Sequence, residues 1–327
     1  MMIMPLLRDI LSFAILLLLS APEQSTAVST LNGFVLENAR INPSSIFRGG
    51  PPRDGIPALN APLFLPAKQA DYLHDDDRVL GIVMHGYARA YPINILNWHE
   101  VVNDEIEGSA IVITYCPLCG TGMAFSAVVA GNPLQFGVSG LLYNSDVLLY
   151  DTATESLWSQ IMGEAVTGPL AGTKLEQMPL EHTSWKHWQK KYPHTSVLSR
   201  DTGYVRDYDR NPYGNYAVSE QLYFPVENQA EETLHPKEVV LGVAVGKSYK
   251  AYPFSTLLAY GKRCFPDSLN NTAYTILWDE DAGSAKAVDE QGRVLPTIQG
   301  YWFAWHAFYP DTEVFTVPET SENMVEE

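Results

Sequence analysis

Cysteine is scarce. The 327-residue chain has only three, so no disulfide framework holds it together. Basic residues are outnumbered: 21 lysines and arginines face 38 aspartates and glutamates, for a formal net charge of −17. A surface of that sign repels phosphate backbones and anionic lipid, so nucleic acid is not an expected partner. Long apolar runs are missing beyond the N-terminus. No Gly-rich phosphate loop, HExxH, Walker or kinase pattern occurs, and no long βαβ series can be traced. What remains is 46% apolar residues with 18 tyrosines, the composition of a folded chain.

Residues 10–19 (ILSFAILLLL) follow Arg8 and precede the small residues Ser25-Thr26-Ala27. This reads as a signal peptide over 1–27, with a retained anchor as the alternative. The run is shorter than the ~20 residues of a bilayer span, so no membrane span is expected after processing. The expected location is exported, periplasmic or extracellular.

The chain compares well with itself. Residues 79–96 (VLGIVMHGYARAYPINIL) match 240–257 (VLGVAVGKSYKAYPFSTL) at an offset of 161. The pattern of Trp185, Trp188, Tyr192, Pro193, Thr195 and Val197 recurs at Trp302, Trp305, Tyr309, Pro310, Thr312 and Val314, offset 117. The difference, 161 − 117 = 44, is a segment found only in the first copy, between about residues 136 and 183. The expected organisation is an N-terminal segment at 28–61, a first copy at 62–199 and a Tyr-rich linker at 200–221. A shortened, structural second copy at 222–318 and an acidic tail at 319–327 complete it. Short alternating runs around His85-Gly86 and Gly246-Lys247 predict hairpins. Helices are predicted over 94–102, 255–260 and 183–191, the last with Trp185 and Trp188 on one face. The fold class is therefore α+β and strand-rich, a tandem duplication of one unit.

Chemistry concentrates where the copies differ. Cys116-Pro117-Leu118-Cys119 follows the apolar run 110–114, and two cysteines at this spacing suit a redox dithiol or part of a soft-metal site. Carried on at offset 161, Cys116 faces Leu277 and Cys119 faces Glu280. His99 faces Tyr260, and Glu100 faces Gly261. Met123 faces Ser284, and Cys264 faces Asn103 and is expected to be a small buried residue. Gly120 and Gly122 make a poor helix start, which favours a sharp metal-type turn over a thioredoxin fold. Cys116, Cys119 and His99 form a nitrogen/sulfur set fit for zinc or copper, and Met123 would favour copper. Glu100, Met123, Ser139, Tyr143, Asn144 and Asp146 are candidates for a ligand-binding or outer layer. The alternatives are a thiol–disulfide oxidoreductase with an unknown redox partner, and a non-catalytic module binding a small ligand or partner. Whether the chain is an enzyme stays open at this stage.

GGPPRDGIPAL (49–59), GYARAYPINILNWHEVVND (86–104), TYCPLCGTG (114–122) and FGVSGLLYNSDVLLYDTATESLW (136–158) together resemble the family of the domain of unknown function numbered 3179. The resemblance implies an exported protein of bacterial or archaeal type and implies no activity. It marks Tyr91, His99, Glu100, Cys116, Cys119, Ser139, Asn144 and Asp146 as motif positions.

Overall fold

The computed structural model describes residues 30–230 and 233–318. The expected signal peptide and acidic tail lie outside these residues. The described chain is strand-rich α+β, with strands in small sheets and four short α-helices. Among the described residues no helix is long and apolar enough to cross a membrane.

One sheet runs in the order Glu181–Ser184, Arg78–Met84, Tyr87–Pro92, Ser196–Leu198, Phe64–Pro66. Its central hairpin turns at His85 and Gly86, both at positive φ (52° and 82°). A two-residue turn of that hand matches the twist of the paired strands. The helix Trp185–Lys191 then lays Trp188 flat on Gly81. A Cβ at Gly81 would sit 2.3 Å from the indole, so only glycine fits there. A second sheet has the order Ile298–Tyr301, Val239–Val245, Ser248–Pro253, Glu313–Val314. Trp305, on the helix Trp302–Phe308, covers Gly242 in the same way, with a Cβ there 2.1 Å from the ring. Both indoles donate 2.9 Å hydrogen bonds, Trp188 to Thr195 and Trp305 to Thr312. Tyr91 donates to Asp104 at 2.6 Å and Tyr252 to Asp267 at 2.7 Å.

The strand registers correct the sequence alignment beyond the first helices. Val101 pairs with Thr114, and Cys264 pairs with Leu277, an offset of 163 (264 minus 101). Cys116 pairs with Thr121, and Asp279 with Ser284, at the same offset. Cys116 therefore corresponds to Asp279, Cys119 to Ala282 and Met123 to Lys286, and Gly283 answers to Gly120. The shift arises just before the strand. In the first half the one-turn helix Ile93–Leu96 is followed by a turn over Asn97–Glu100 before the strand Val101–Ile106. In the second half the helix Phe254–Tyr260 is longer, and Gly261, Lys262 and Arg263 intervene before Cys264–Leu269. The expected helix over 94–102 is cut short for the same reason. Cys264 is exposed, not buried, because its strand is the edge of a three-stranded sheet.

Residues 136–165 supply four strands and the N-terminal segment a fifth to a sheet in the order Glu164–Ala165, Leu157–Ser159, Asp146–Asp151, Phe136–Tyr143, Ile46–Arg48. Phe136–Tyr143 and Asp146–Asp151 are buried along their whole length. A four-stranded sheet carries Thr121–Ser126, Ser109–Cys116 and Val101–Ile106 as neighbours. One apolar core joins these layers and includes Cys116, Cys119, Met123, Trp158, Trp302 and Trp305.

Candidate metal centre

Cys116 is the last residue of Ser109–Cys116 and pairs with Thr121 across a tight turn. The Cys119 amide donates back to the Cys116 carbonyl at 3.2 Å, which turns both side chains inward. Gly120 closes the turn at φ 63°. A Cβ there would meet the Tyr301 ring at 2.9 Å. Tyr301, from the second half of the chain, donates its amide to the Cys119 carbonyl at 2.8 Å. The motif thus sits on a strand-to-strand turn and lacks a helix N-terminus, the usual device for lowering a thiol pKa.

Asp146 reaches the sulfurs from the other sheet. Tyr143 pairs with Asp146 across Asn144 and Ser145, both at positive φ (52° and 64°). Left-handed backbone costs a non-glycine residue about 1–2 kcal/mol. Surrounding contacts hold it in place. Asn144 accepts the Glu227 amide at 2.8 Å and donates to the Ala307 carbonyl at 3.3 Å. The Ser145 hydroxyl donates to the Phe224 carbonyl at 2.9 Å. The strained turn aims the Ser145 carbonyl at both thiols, with Cys119 Sγ at 3.3 Å and Cys116 Sγ at 3.8 Å. One ligating atom each from Cys116, Cys119 and Asp146 lies within 4.8 Å of the others, and all three residues are buried. The Ile161 amide donates to Asp146 Oδ2 at 3.1 Å, and Oδ1 lies 3.5 Å from the Thr121 hydroxyl oxygen. Gln160 braces the floor: it accepts from the Thr121 hydroxyl at 2.7 Å and donates to Thr114 at 2.8 Å.

His99 is not the third member of this group, contrary to the sequence expectation. Both ring nitrogens are engaged elsewhere, Nδ1 with the Pro57 carbonyl at 2.8 Å and Nε2 with the Tyr208 hydroxyl at 2.7 Å. Met123 pairs with Thr114, two residues from Cys116 along the strand, and packs in the same core cluster as the sulfurs. Ser139 accepts the Leu141 amide at 3.0 Å and donates to the Leu148 carbonyl, which stabilises a bulge in Phe136–Tyr143. Tyr143 points away to Glu227, donating at 2.6 Å. Tyr213 of the linker donates to Glu100 Oε1 at 3.1 Å, a contact the sequence did not reveal. Within the otherwise mostly exposed segment 200–221, Tyr208 and Tyr216 are buried.

Electrostatics at the site all favour retained protons. Burial pushes both thiols up, Cys119 the further, and the neighbouring Asp146 opposes ionisation of each. Burial raises the Asp146 carboxyl to about 7. Burial, with Asp146 adding to it, also raises Glu100 to about 7. Each carboxyl keeps its proton to higher pH in the fold than in the unfolded chain, where it titrates near pH 4. Folding therefore takes up protons between about pH 4 and 7. The metal-free protein should lose stability as pH rises through that window and level off above it. The loss should be on the order of 8 kcal/mol for the pair. Urea midpoints at pH 5 and pH 8 check this; a more stable protein at pH 8 would contradict it.

Glu100 itself occupies φ 58°, where Gly261 terminates the second helix at φ 69°. Left-handed backbone costs a glutamate about 1–2 kcal/mol that glycine avoids. At pH 8, Glu100→Gly should be more stable than Glu100→Ala by about 1 kcal/mol, and at least as stable as the parent. Equal stability of the two variants in thermal melts would remove the strain argument.

No curated protein and no solved structure matches the chain. A family model described as protein of unknown function (DUF3179) matches residues 53–295, which span the CPLC turn, the Asp146 hairpin and Glu100. The chain belongs to the DUF3179 family.

Proposed function

We propose that the protein is an exported metal-binding protein whose site is Cys116, Cys119 and Asp146. The supporting observation is the meeting of two thiols and a carboxyl in one buried spot where burial opposes the ionisation of all three. A divalent cation would replace those protons and offset two of the three negative charges left behind. Two sulfurs and one hard oxygen suit zinc better than cuprous copper, which prefers soft donors throughout. Three protein ligands leave one position open, so bound zinc would supply Lewis-acid polarisation of a small molecule reaching it. Glu100, with a carboxyl near neutrality, would be the group that exchanges a proton there.

Thiol–disulfide exchange is the second reading, and the closeness of the two sulfurs favours it. Burial and raised thiol pKa values weigh against it, since the thiolate is the attacking species. Elemental mass spectrometry on anaerobically purified protein separates the two. Near-stoichiometric zinc supports the first reading. Less than about a tenth of an equivalent of any transition metal, before and after reconstitution, removes it.

The division of labour follows from the same reading. The repeated sheet order and the paired Trp-on-Gly contacts support one unit used twice, with the thiols kept in the first half only. The second half would serve as scaffold, lending Tyr301 and the Ala307 carbonyl to the site.

A further inference from the structure

The segments that carry the family resemblance meet at a cleft that the metal reading touches only at Glu100. A cleft of about 890 Å³ is lined by Pro51 of GGPPRDG, Trp98 of NWHE, Leu118 from between the two cysteines and Leu142 of GVSGLLY. Gly140 makes that meeting possible. It lies at φ 71°, and a Cβ there would stand 2.3 Å from the Pro51 carbonyl. The linker forms the opposite wall. Its Arg210 carbonyl accepts from the Trp98 indole at 3.2 Å, and the Arg210 guanidinium lies 5.4 Å from the Trp98 ring.

Charge at the cleft departs from the rest of the molecule. In a chain of net charge −17, the linker places Arg206 and Arg210 on the cleft wall. Among the described residues neither arginine forms an ion pair. Asp207 and Glu100 also line the cleft, the first exposed and the second bonded by Tyr213. A concave, largely apolar site with a few convergent polar groups, of this volume, is typical for a small organic ligand. We infer that the cleft binds a small organic anion, with an apolar body against Leu142 and Trp98 and its anionic group at Arg206 and Arg210. Guanidinium forks match carboxylate, sulfonate or phosphate oxygens, and a partly enclosed site strengthens that attraction.

A matched pair of fluorescent probes tests this in the metal-free protein, so the outcome is separate from the metal reading. The probes are 1-anilinonaphthalene-8-sulfonate and its neutral counterpart N-phenyl-1-naphthylamine. The sulfonate should bind saturably at one site and at least ~10-fold more tightly than the neutral probe. The double variant Arg206→Ala/Arg210→Ala should weaken the sulfonate by a similar factor and leave the neutral probe unchanged. Leu142→Trp, which fills the cleft, should abolish binding of both. Equal affinities for the two probes, unchanged sulfonate binding in the double variant, or no saturable binding would each overturn the inference.

Discussion

Asp146→Asn should lower zinc affinity by at least about 100-fold, and Cys116→Ser and Cys119→Ser by more. Outer partners of metal ligands alone are worth 10–100-fold, and these residues are the proposed ligands themselves. Asn preserves the shape of Asp146 and can still accept the Ile161 amide now donated to Oδ2. The loss would therefore report the missing charge, not a collapsed hairpin. Protons compete for the same atoms. With both thiols pushed up and Asp146 at about 7, affinity should rise with pH and binding should release more than two protons at pH 7. His99→Phe should leave affinity within about threefold, because the ring faces Pro57 and Tyr208. Competition titration against a chromophoric chelator measures all four variants. Unchanged affinity in Asp146→Asn, or a large loss in His99→Phe, would return the third position to histidine.

Trp305→Ala should destabilise the protein by about 3–5 kcal/mol. The ring is 1% exposed and lies directly on Gly242. Its removal would empty a slot that glycine cannot refill and leave the Thr312 hydroxyl without its indole donor. Trp305 also belongs to the core cluster that holds the two cysteines, so metal affinity should fall with stability. Trp188→Ala, on Gly81 in the other sheet, should cost a similar amount. Urea unfolding with both variants at matched pH measures this. A loss under about 1 kcal/mol would mean that the neighbouring layers close over the gap.

Local chemistry made the hairpins legible. Alternating apolar residues around His85-Gly86, and the Trp185–Lys191 helix with its two indoles, follow from spacing alone. The sheet orders explain why the two-part sequence match was so clear at Gly81 and Trp188: that contact is repeated at Gly242 and Trp305. The gapless alignment then failed just after Glu100, because the residues between Gly261 and Cys264 have no signature of their own. The cysteines were legible as a pair, but their third neighbour was not. Asp146 was legible as a candidate for the outer layer and as a motif position, but not as the neighbour of the two sulfurs. Its approach to the sulfurs depends on a left-handed Asn144-Ser145 turn and on packing between two sheets. Sequence separation carries no signal for such a contact. His99 misled because its ring nitrogens go to the Pro57 carbonyl and the Tyr208 hydroxyl, partners distant in sequence.

X-ray absorption at the zinc edge, on protein reconstituted with one equivalent of zinc, tests the central claim most directly. The account predicts two sulfur scatterers at about 2.3 Å and the remaining ligands as oxygen at about 2.0–2.2 Å, without the multiple-scattering pattern of imidazole. An imidazole signature, a single sulfur, or zinc that washes out on desalting would contradict it.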